Sequence, residues 1–321
     1  MSDFRSYSGE EFFSQVFPKR PFLIEGILKE KDSVIVVGPP KTGKSIFLFQ
    51  LICSLTSQHP FLDKFSVSRP CHVSYVQLEG EIEDYQDRLL RMSHAIEINP
   101  ALLHYKYSGP MNLLDEEKAK SFCQEIKQYS PKLDVLVIDP LYFALRGSLS
   151  DDDLVRRFTG NLRIIKDYFG CAIILVHHTH KVKIDPITGF MLDEGDDALF
   201  GSVFWKAWPD HILLLGYNQK TGVRSLTCGT QRSGSILTST SMRLVQPDPL
   251  YFEATEMPTG SALKPIEILD FLKRSGPSTY SEILTGMNLA KSTFFYSIKP
   301  LIMQKLVKKD TSEKLTKYTA A

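Results

Sequence analysis

The sequence predicts an α/β fold with a parallel central sheet, an antiparallel extension and a small C-terminal helical module, and three observations carry that expectation. First, the strand-like runs SVIVV (33–37), HVSYVQL (72–78), DVLVID (134–139) and CAIILVHH (171–178) alternate with helical stretches after Gly43, Glu83, Asp115 and Asp151. Strands joined through helices pair in parallel, because the chain must return across the sheet before it can pair again. Second, the pattern changes near residue 211, where HILLLGY, SLTCGTQ and SILTSTSMRLV form short β-rich runs separated by turn residues. Such runs add antiparallel strands to the sheet. Third, PTGSALKP (258–265) has linker composition, and amphipathic helical patterns follow it. The expected organisation is an N-terminal segment over residues 1–30, a core over 20–258, and a linker with a small module over 259–321.

With 321 residues, 43% of them apolar, the chain has ample material for a large core. No window approaches the roughly 18 consecutive apolar residues of a membrane span, and the start MSDFRSYSGEEFF lacks the form of a signal peptide. A cytoplasmic protein without membrane partners is expected. The five cysteines stand far apart with no C-x-x-C pair, which suggests neither zinc nor disulfides. Charge is uneven: from Ser261 to Ala321 ten Lys and Arg face five Asp and Glu, so this tail carries +5 while the whole chain carries +1. A separate module with an anionic partner fits that asymmetry.

Between the first strand and its helix stands Gly38-Pro39-Pro40-Lys41-Thr42-Gly43-Lys44-Ser45, a full G-x-x-x-x-G-K-[ST] match in the strand-to-helix context the motif requires. This is a phosphate-binding P-loop. Its glycines let backbone N–H groups curl around an anion at the positive end of a helix; Lys44 would reach the β- and γ-phosphates, and the Ser45 hydroxyl would ligate Mg²⁺. Asp139 ends the strand DVLVID, where a carboxylate can hold the same Mg²⁺ through water, although a strand-end Asp can also merely cap a turn. Glu79 follows HVSYVQL, and a carboxylate there could orient and deprotonate an attacking water. Glu81 and Glu83 read as solvated or helix-capping charges.

A P-loop, a strand-end Glu and a terminal β-rich segment together resemble the RecA-like ATPases, particularly the hexameric helicases of the DnaB and plasmid RepA kind, and within them the RepA-like family of phages and plasmids. PFLIEGILKEKDSVIVVGPPKTGKS, YVQLEGEIEDYQDRL, VLVIDPLYFAL, and ILVHHTHK with the later GSVFWKAWPDHILLL carry the match, over roughly residues 20 to 245. The resemblance implies a RecA-like P-loop core, ATP and Mg²⁺ as cofactors, and assembly as a homo-hexamer. It implies roles for Lys44, Ser45, Glu79 and Asp139 as above, and matches Arg88 to the arginine that follows the catalytic Glu. His177 and His178 fall where the family carries a polar sensor of the γ-phosphate, and His178 is the expected sensor. His180 adds a third histidine, but strand alternation sends His177 and His178 to opposite faces, which disfavours a metal site. CGTQRSGS (228–235) is similar to the K-Q-R-x-G hairpin that reaches into a neighbouring subunit, making Arg232 the arginine-finger candidate. Thr230 replaces the hairpin lysine, so either Arg232 acts alone in trans or Lys220 or Arg224 compensates, and Phe200 stands where many family members carry an arginine.

Rings of this kind line their channel with the loops after the third and fourth motif strands. Here those are Leu141 to Asp153, with Arg146, and Lys181 to Phe200, with Lys181 and Lys183, which the resemblance implies would meet single-stranded DNA. In the tail, KPIEILDFLKRS, SEILTGM and AKSTFFYSIKPLIMQKLV read as three helices and VKKDTSEKLTKYTA as two β-runs, an order that resembles a winged helix-turn-helix. Lys291, Ser292 and Thr293 would open its recognition helix, and Lys308, Lys309, Lys314 and Lys317 would lie on the wing against duplex DNA. Winged helices also dock proteins. The leading expectation is a ring-forming, ATP-hydrolysing DNA helicase in replication of a mobile element or phage; a DNA-binding regulatory or recombination ATPase without unwinding is the alternative. A P-loop kinase is disfavoured by the hairpin and the basic tail.

Overall fold

The computed structural model describes residues 6–178, 201–218, 222–231, 239–255, 264–289, 291–303, 306–311 and 316–320. In chain order the elements are α1 (Gly9–Ser14), β1 (Phe22–Ile24), β2 (Leu28–Lys29), β3 (Ser33–Gly38), α2 (Lys44–Ser57), β4 (Val73–Gln77), α3 (Ile82–Ser93), β5 (Leu103–Tyr107), α4 (Glu116–Tyr129), β6 (Val135–Asp139), α5 (Leu141–Leu145), α6 (Asp152–Phe169), β7 (Ala172–His178), α7 (Phe204–Ala207), β8 (His211–Tyr217), β9 (Val223–Gln231), β10 (Ser239–Val245) and β11 (Tyr251–Thr255). The tail adds α8 (Lys264–Ser275), β12 (Ser278–Thr279), α9 (Tyr280–Met287), α10 (Lys291–Met303), β13 (Val307–Asp310) and β14 (Lys317–Ala320).

Strands β3 to β11 form one sheet in the order β11-β10-β9-β8-β3-β7-β6-β4-β5. The six strands from β8 to β5 run parallel, and β9, β10 and β11 extend the sheet antiparallel, as the sequence predicts. Every residue of β3 is buried, because helices cover both faces of the sheet. The pleat divides its side chains: Val34 and Val36 join the cluster under α2 and α3, while Ile35 and Val37 join the one under α4, α5 and α6.

The four motif strands fall where the pattern places them, to within a residue or two. Three features depart from it. The edge strand β5 carries no apolar run, since its residues LHYKY are half-buried or exposed. β11 has no counterpart in the expected pattern. The segment from Leu141 to Asp153, expected as a loop, begins with α5, because Leu141, Ala144 and Leu145 stand at helical spacing and all three are buried.

At the N-terminal edge of the sheet, opposite the P-loop, a buried carboxylate is ringed by partners. Asp32, with no exposed surface, meets Arg20 at 2.8 Å and His211 Nε2 at 2.9 Å, and accepts from the Lys29 amide at 2.8 Å. Arg20 thereby fastens the chain before β1 to the sheet. The hairpin β1–β2 contributes Leu23, Ile24, Ile27 and Leu28 to the core.

The antiparallel extension is fastened to the P-loop helix by one side chain. From α2, Gln50 Nε2 donates to the Phe252 carbonyl at 2.8 Å, and Gln50 Oε1 accepts from the Phe252 amide at 2.7 Å. The tail has its own apolar cluster, with Ile268, Leu272, Ile283, Phe294, Ile298, Leu301, Val307 and Tyr318 packed between α8, α9, α10 and the small sheet β12-β14-β13. Among the described residues, no helix is long and apolar enough to cross a membrane.

Replacing Gln50 by Leu keeps the volume but strands a buried amide and a buried carbonyl on β11. The variant should lose about 2–4 kcal/mol of stability. Urea denaturation checks this, and a midpoint equal to that of the parent would mean the pair does not hold β11 to α2.

Candidate functional site

The P-loop leaves β3 at Gly38, in the centre of the sheet. A Cβ at Gly38 would stand 2.8 Å from the Leu215 carbonyl oxygen of β8, so only glycine lets the two strands approach this closely. Thr42 closes the loop by donating its hydroxyl to the Pro39 carbonyl at 2.9 Å. Gly43 then starts α2 with φ +94°, and a Cβ there would stand 2.7 Å from Phe252 Cζ. Pro40 and Lys41 form the exposed crest of the loop.

Lys44 is buried, and its ammonium donates to the carbonyls of Gly38 at 2.7 Å and Pro39 at 2.8 Å. These acceptors sit inside the loop that would hold phosphate, so the cation is aimed into the cradle. Burial lowers its pKa to about 8, with the negative charges of Asp139 and Glu79 opposing the shift.

Asp139 ends β6, two strands from β3 across β7. Its Oδ2 accepts from Ser45 Oγ at 3.3 Å and from the Tyr75 hydroxyl. Burial pushes the Asp139 carboxyl above its usual range, against the pull of Tyr75, Lys44 and Ser45. The Tyr75 hydroxyl is held protonated, first by burial and then by the Asp139 charge, so it serves as a fixed donor. Tyr75, Tyr85 and Phe49 pack together beneath this corner, with ring centroids 5.3–5.5 Å from Phe49.

Glu79 lies beside Asp139 because β4 pairs with β6 in register, Gln77 opposite Asp139, and the Leu78 amide donates to the Asp139 carbonyl at 2.8 Å. Gln77 donates to the Glu79 carbonyl at 2.8 Å and accepts from the Tyr105 hydroxyl. The Glu79 side chain is exposed, and its Oε2 accepts from the Tyr142 hydroxyl at 2.6 Å. Arg88 on α3 lies over the Tyr85 ring at 5.2 Å.

The fold therefore gathers Lys44, Ser45, Asp139 and Glu79 at one edge. The register of β7 sets His178 opposite Gly38 and His177 opposite Val37; His177 is buried, edge-on to Trp205 at 6.4 Å. The side chain of His178 lies outside the described residues, as do Arg232, Lys181 and Lys183 altogether. Arg146 is exposed in a left-handed conformation at the end of α5. Arg224, considered as a partner for the hairpin, is instead half-buried over the rings of Tyr217 and Phe252. Lys291 opens α10 and Lys309 lies on β13, both exposed and remote in sequence from the P-loop.

Sequence reasoning did not single out Tyr75, Tyr142 or Phe252. A tyrosine among the aliphatic positions of HVSYVQL was the available signal for Tyr75. Phe252 had none, since its part depends on which strand comes to rest beside Gly43.

The residues fit a nucleotide with Mg²⁺: a loop whose two glycines leave no room for a Cβ, a buried ammonium bonded to loop carbonyls, and a hydroxyl paired with a carboxylate as hard oxygen donors. A model of the family described as AAA domain matches residues 4–183. Among solved structures, the chain is similar to the RadB recombinase (16% identity, TM-score 0.48, covering 71% of this chain and 92% of the other). It is also similar to a KaiC-like protein of the hyperthermophilic archaeon Pyrococcus horikoshii OT3 (14% identity, TM-score 0.49, covering 74% and 99%). No curated protein matches the chain.

Replacing Gly43 by Ala strains a left-handed residue and drives a methyl into Phe252. Affinity for ATP should fall about 10- to 100-fold. Gly160→Ala in α6, where nothing lies within 4 Å, is the control and should bind as the parent does. Equilibrium binding of a fluorescent ATP analogue measures both, and equal affinities would show that the loop tolerates the side chain.

Proposed function

This chain belongs to the AAA domain family, whose members are P-loop ATPases, and from that premise we propose that it is a ring-forming, ATP-hydrolysing motor of the RepA-like helicase kind, acting on DNA in the replication of a mobile element or phage. The observation that supports the chemistry best is the convergence of Lys44, Ser45, Asp139 and Glu79 on one edge of the sheet.

In this reading, backbone N–H groups from Gly38 to Ser45 cradle the phosphates, and Lys44 exchanges its two carbonyl acceptors for phosphate oxygens. Ser45 and Asp139 hold Mg²⁺, which when bound offsets the charge of the β- and γ-phosphates. Glu79 orients a water in line with the terminal phosphorus and takes its proton on the carboxylate. The bond from that phosphorus to the bridging oxygen breaks, releasing ADP and phosphate. Arg232, from a neighbouring subunit of a homo-hexamer, stabilises the transferring group, and His178 senses its departure. Arg146, Lys181 and Lys183 meet single-stranded DNA in the channel. The tail is a winged helix whose Lys291 and Lys309 meet duplex phosphates, and the separate core and small sheet of that module support this part. The whole operates in the cytoplasm.

Lys44→Ala should abolish ATP binding and hydrolysis without unfolding the sheet. Glu79→Gln should differ in kind: ATP stays bound while turnover drops by about 100-fold or more. Filter binding beside phosphate release separates the two, and normal turnover by Glu79→Gln with an inactive Glu81→Gln would move the base to Glu81.

Truncation after Thr259 removes the +5 tail and leaves every proposed nucleotide group in place. ATPase activity, and its stimulation by single strands, should survive. Duplex affinity should drop, with the log–log salt slope shallower by about one unit for each phosphate that the shortened chain no longer reaches. An unchanged slope would make the tail a protein-docking module. Stimulation by DNA without strand displacement would favour the regulatory or recombination ATPase.

A further inference from the structure

The backbone at Glu79 is fixed twice, by the Leu78 amide on the Asp139 carbonyl and by the Gln77 side-chain amide on the Glu79 carbonyl. Neither bond reaches the carboxylate, which stands at the end of a long, exposed side chain with three rotatable bonds. A general base must hold a particular orientation toward its water, and a freely rotating Glu spends little time in it. The 2.6 Å bond from the Tyr142 hydroxyl to Oε2 fixes that orientation.

The Tyr142 hydroxyl is itself rooted in a rigid segment. α5 buries Leu141, Ala144 and Leu145 completely, and its carbonyls at Phe143 and Ala144 accept from the amides of Met111 at 2.9 Å and Leu113 at 3.0 Å. Tyr142 is only half-buried, so the packing of α5 rests on its neighbours and not on the tyrosine ring. Its hydroxyl is kept protonated by burial and by the Glu79 carboxylate, which makes it a permanent donor. One carboxylate oxygen is taken by this bond, and the other remains for a water.

We propose that Tyr142 is a positioning residue for hydrolysis: through its hydroxyl it holds the Glu79 carboxylate in the orientation that activates water. The inference rests on the assignment of Glu79 as the base. It also gives α5 a function, because the same turn continues into Arg146 and the segment to Asp151.

The test uses the full chain, with Tyr142→Phe, Glu79→Gln and the double variant. Tyr142→Phe keeps the ring, so its melting temperature and its affinity for ATP should equal those of the parent while kcat falls about tenfold. In the Glu79→Gln background the same substitution should change the residual single-turnover rate by less than about twofold, because the hydroxyl acts only through the carboxylate. An unchanged or raised kcat in Tyr142→Phe overturns the proposal. So does an equal fold-loss in both backgrounds, and so does a kcat loss matched by weaker ATP binding or a lower melting temperature, which would mark Tyr142 as a packing residue. Normal turnover by Glu79→Gln overturns the base assignment and this proposal together. An inactive Glu79→Gln beside an unaffected Tyr142→Phe overturns this one alone.

Discussion

The rest of the molecule is arranged around a buried ammonium and a buried carboxylate of opposite charge at one edge of a parallel sheet. Removing Lys44 and Asp139 from water costs each of them hydration, which is why their proton affinities move toward one another, the lysine down to about 8 and the aspartate upward. Such a pair is tolerable only when each charge keeps other partners. Lys44 keeps the Gly38 and Pro39 carbonyls, and Asp139 keeps the hydroxyls of Ser45 and Tyr75. Those demands dictate a tyrosine inside β4 and β6 directly beside it.

The two edges of the sheet handle charge differently. At the N-terminal edge, Asp32 is closed in by Arg20, His211 and a backbone amide. At the C-terminal edge the partners of Lys44 are neutral carbonyls, which a phosphate would displace with a large gain in charge attraction. The first edge ties the chain before β1 to the sheet, and the second gathers Lys44, Ser45, Asp139 and Glu79. Both follow from β3 lying between β7 and β8.

The antiparallel extension belongs to the nucleotide site as much as the parallel half does. Phe252 of β11 lies against Gly43, and Gln50 of α2 fixes that strand by both sides of one residue's backbone. A movement of β11 would therefore be felt at the start of the P-loop helix. This contact joins β11 to the phosphate cradle directly, beside the approach of Leu215 of β8 to Gly38.

By itself the sequence determined the parallel core strands, the P-loop, and Asp139 and Glu79 at strand ends, because each is written locally: a buried strand is an apolar run, a phosphate loop is two glycines at a fixed spacing before a lysine and a serine, and a strand-end carboxylate stands out against that run. It also set apart the basic tail, since charge is a property of composition. It missed β5, whose half-buried edge position needs no apolar run, and it took α5 for loop because five residues are too few for helical spacing to stand out. Only the tertiary structure decided that β4 lies beside β6 with Gln77 opposite Asp139, and that Tyr75, Tyr142 and Phe252 converge on residues between about 60 and 210 positions away in the chain. Strand order and side-chain packing at such separations depend on how whole faces fit together, and that complementarity leaves no periodic mark on the chain.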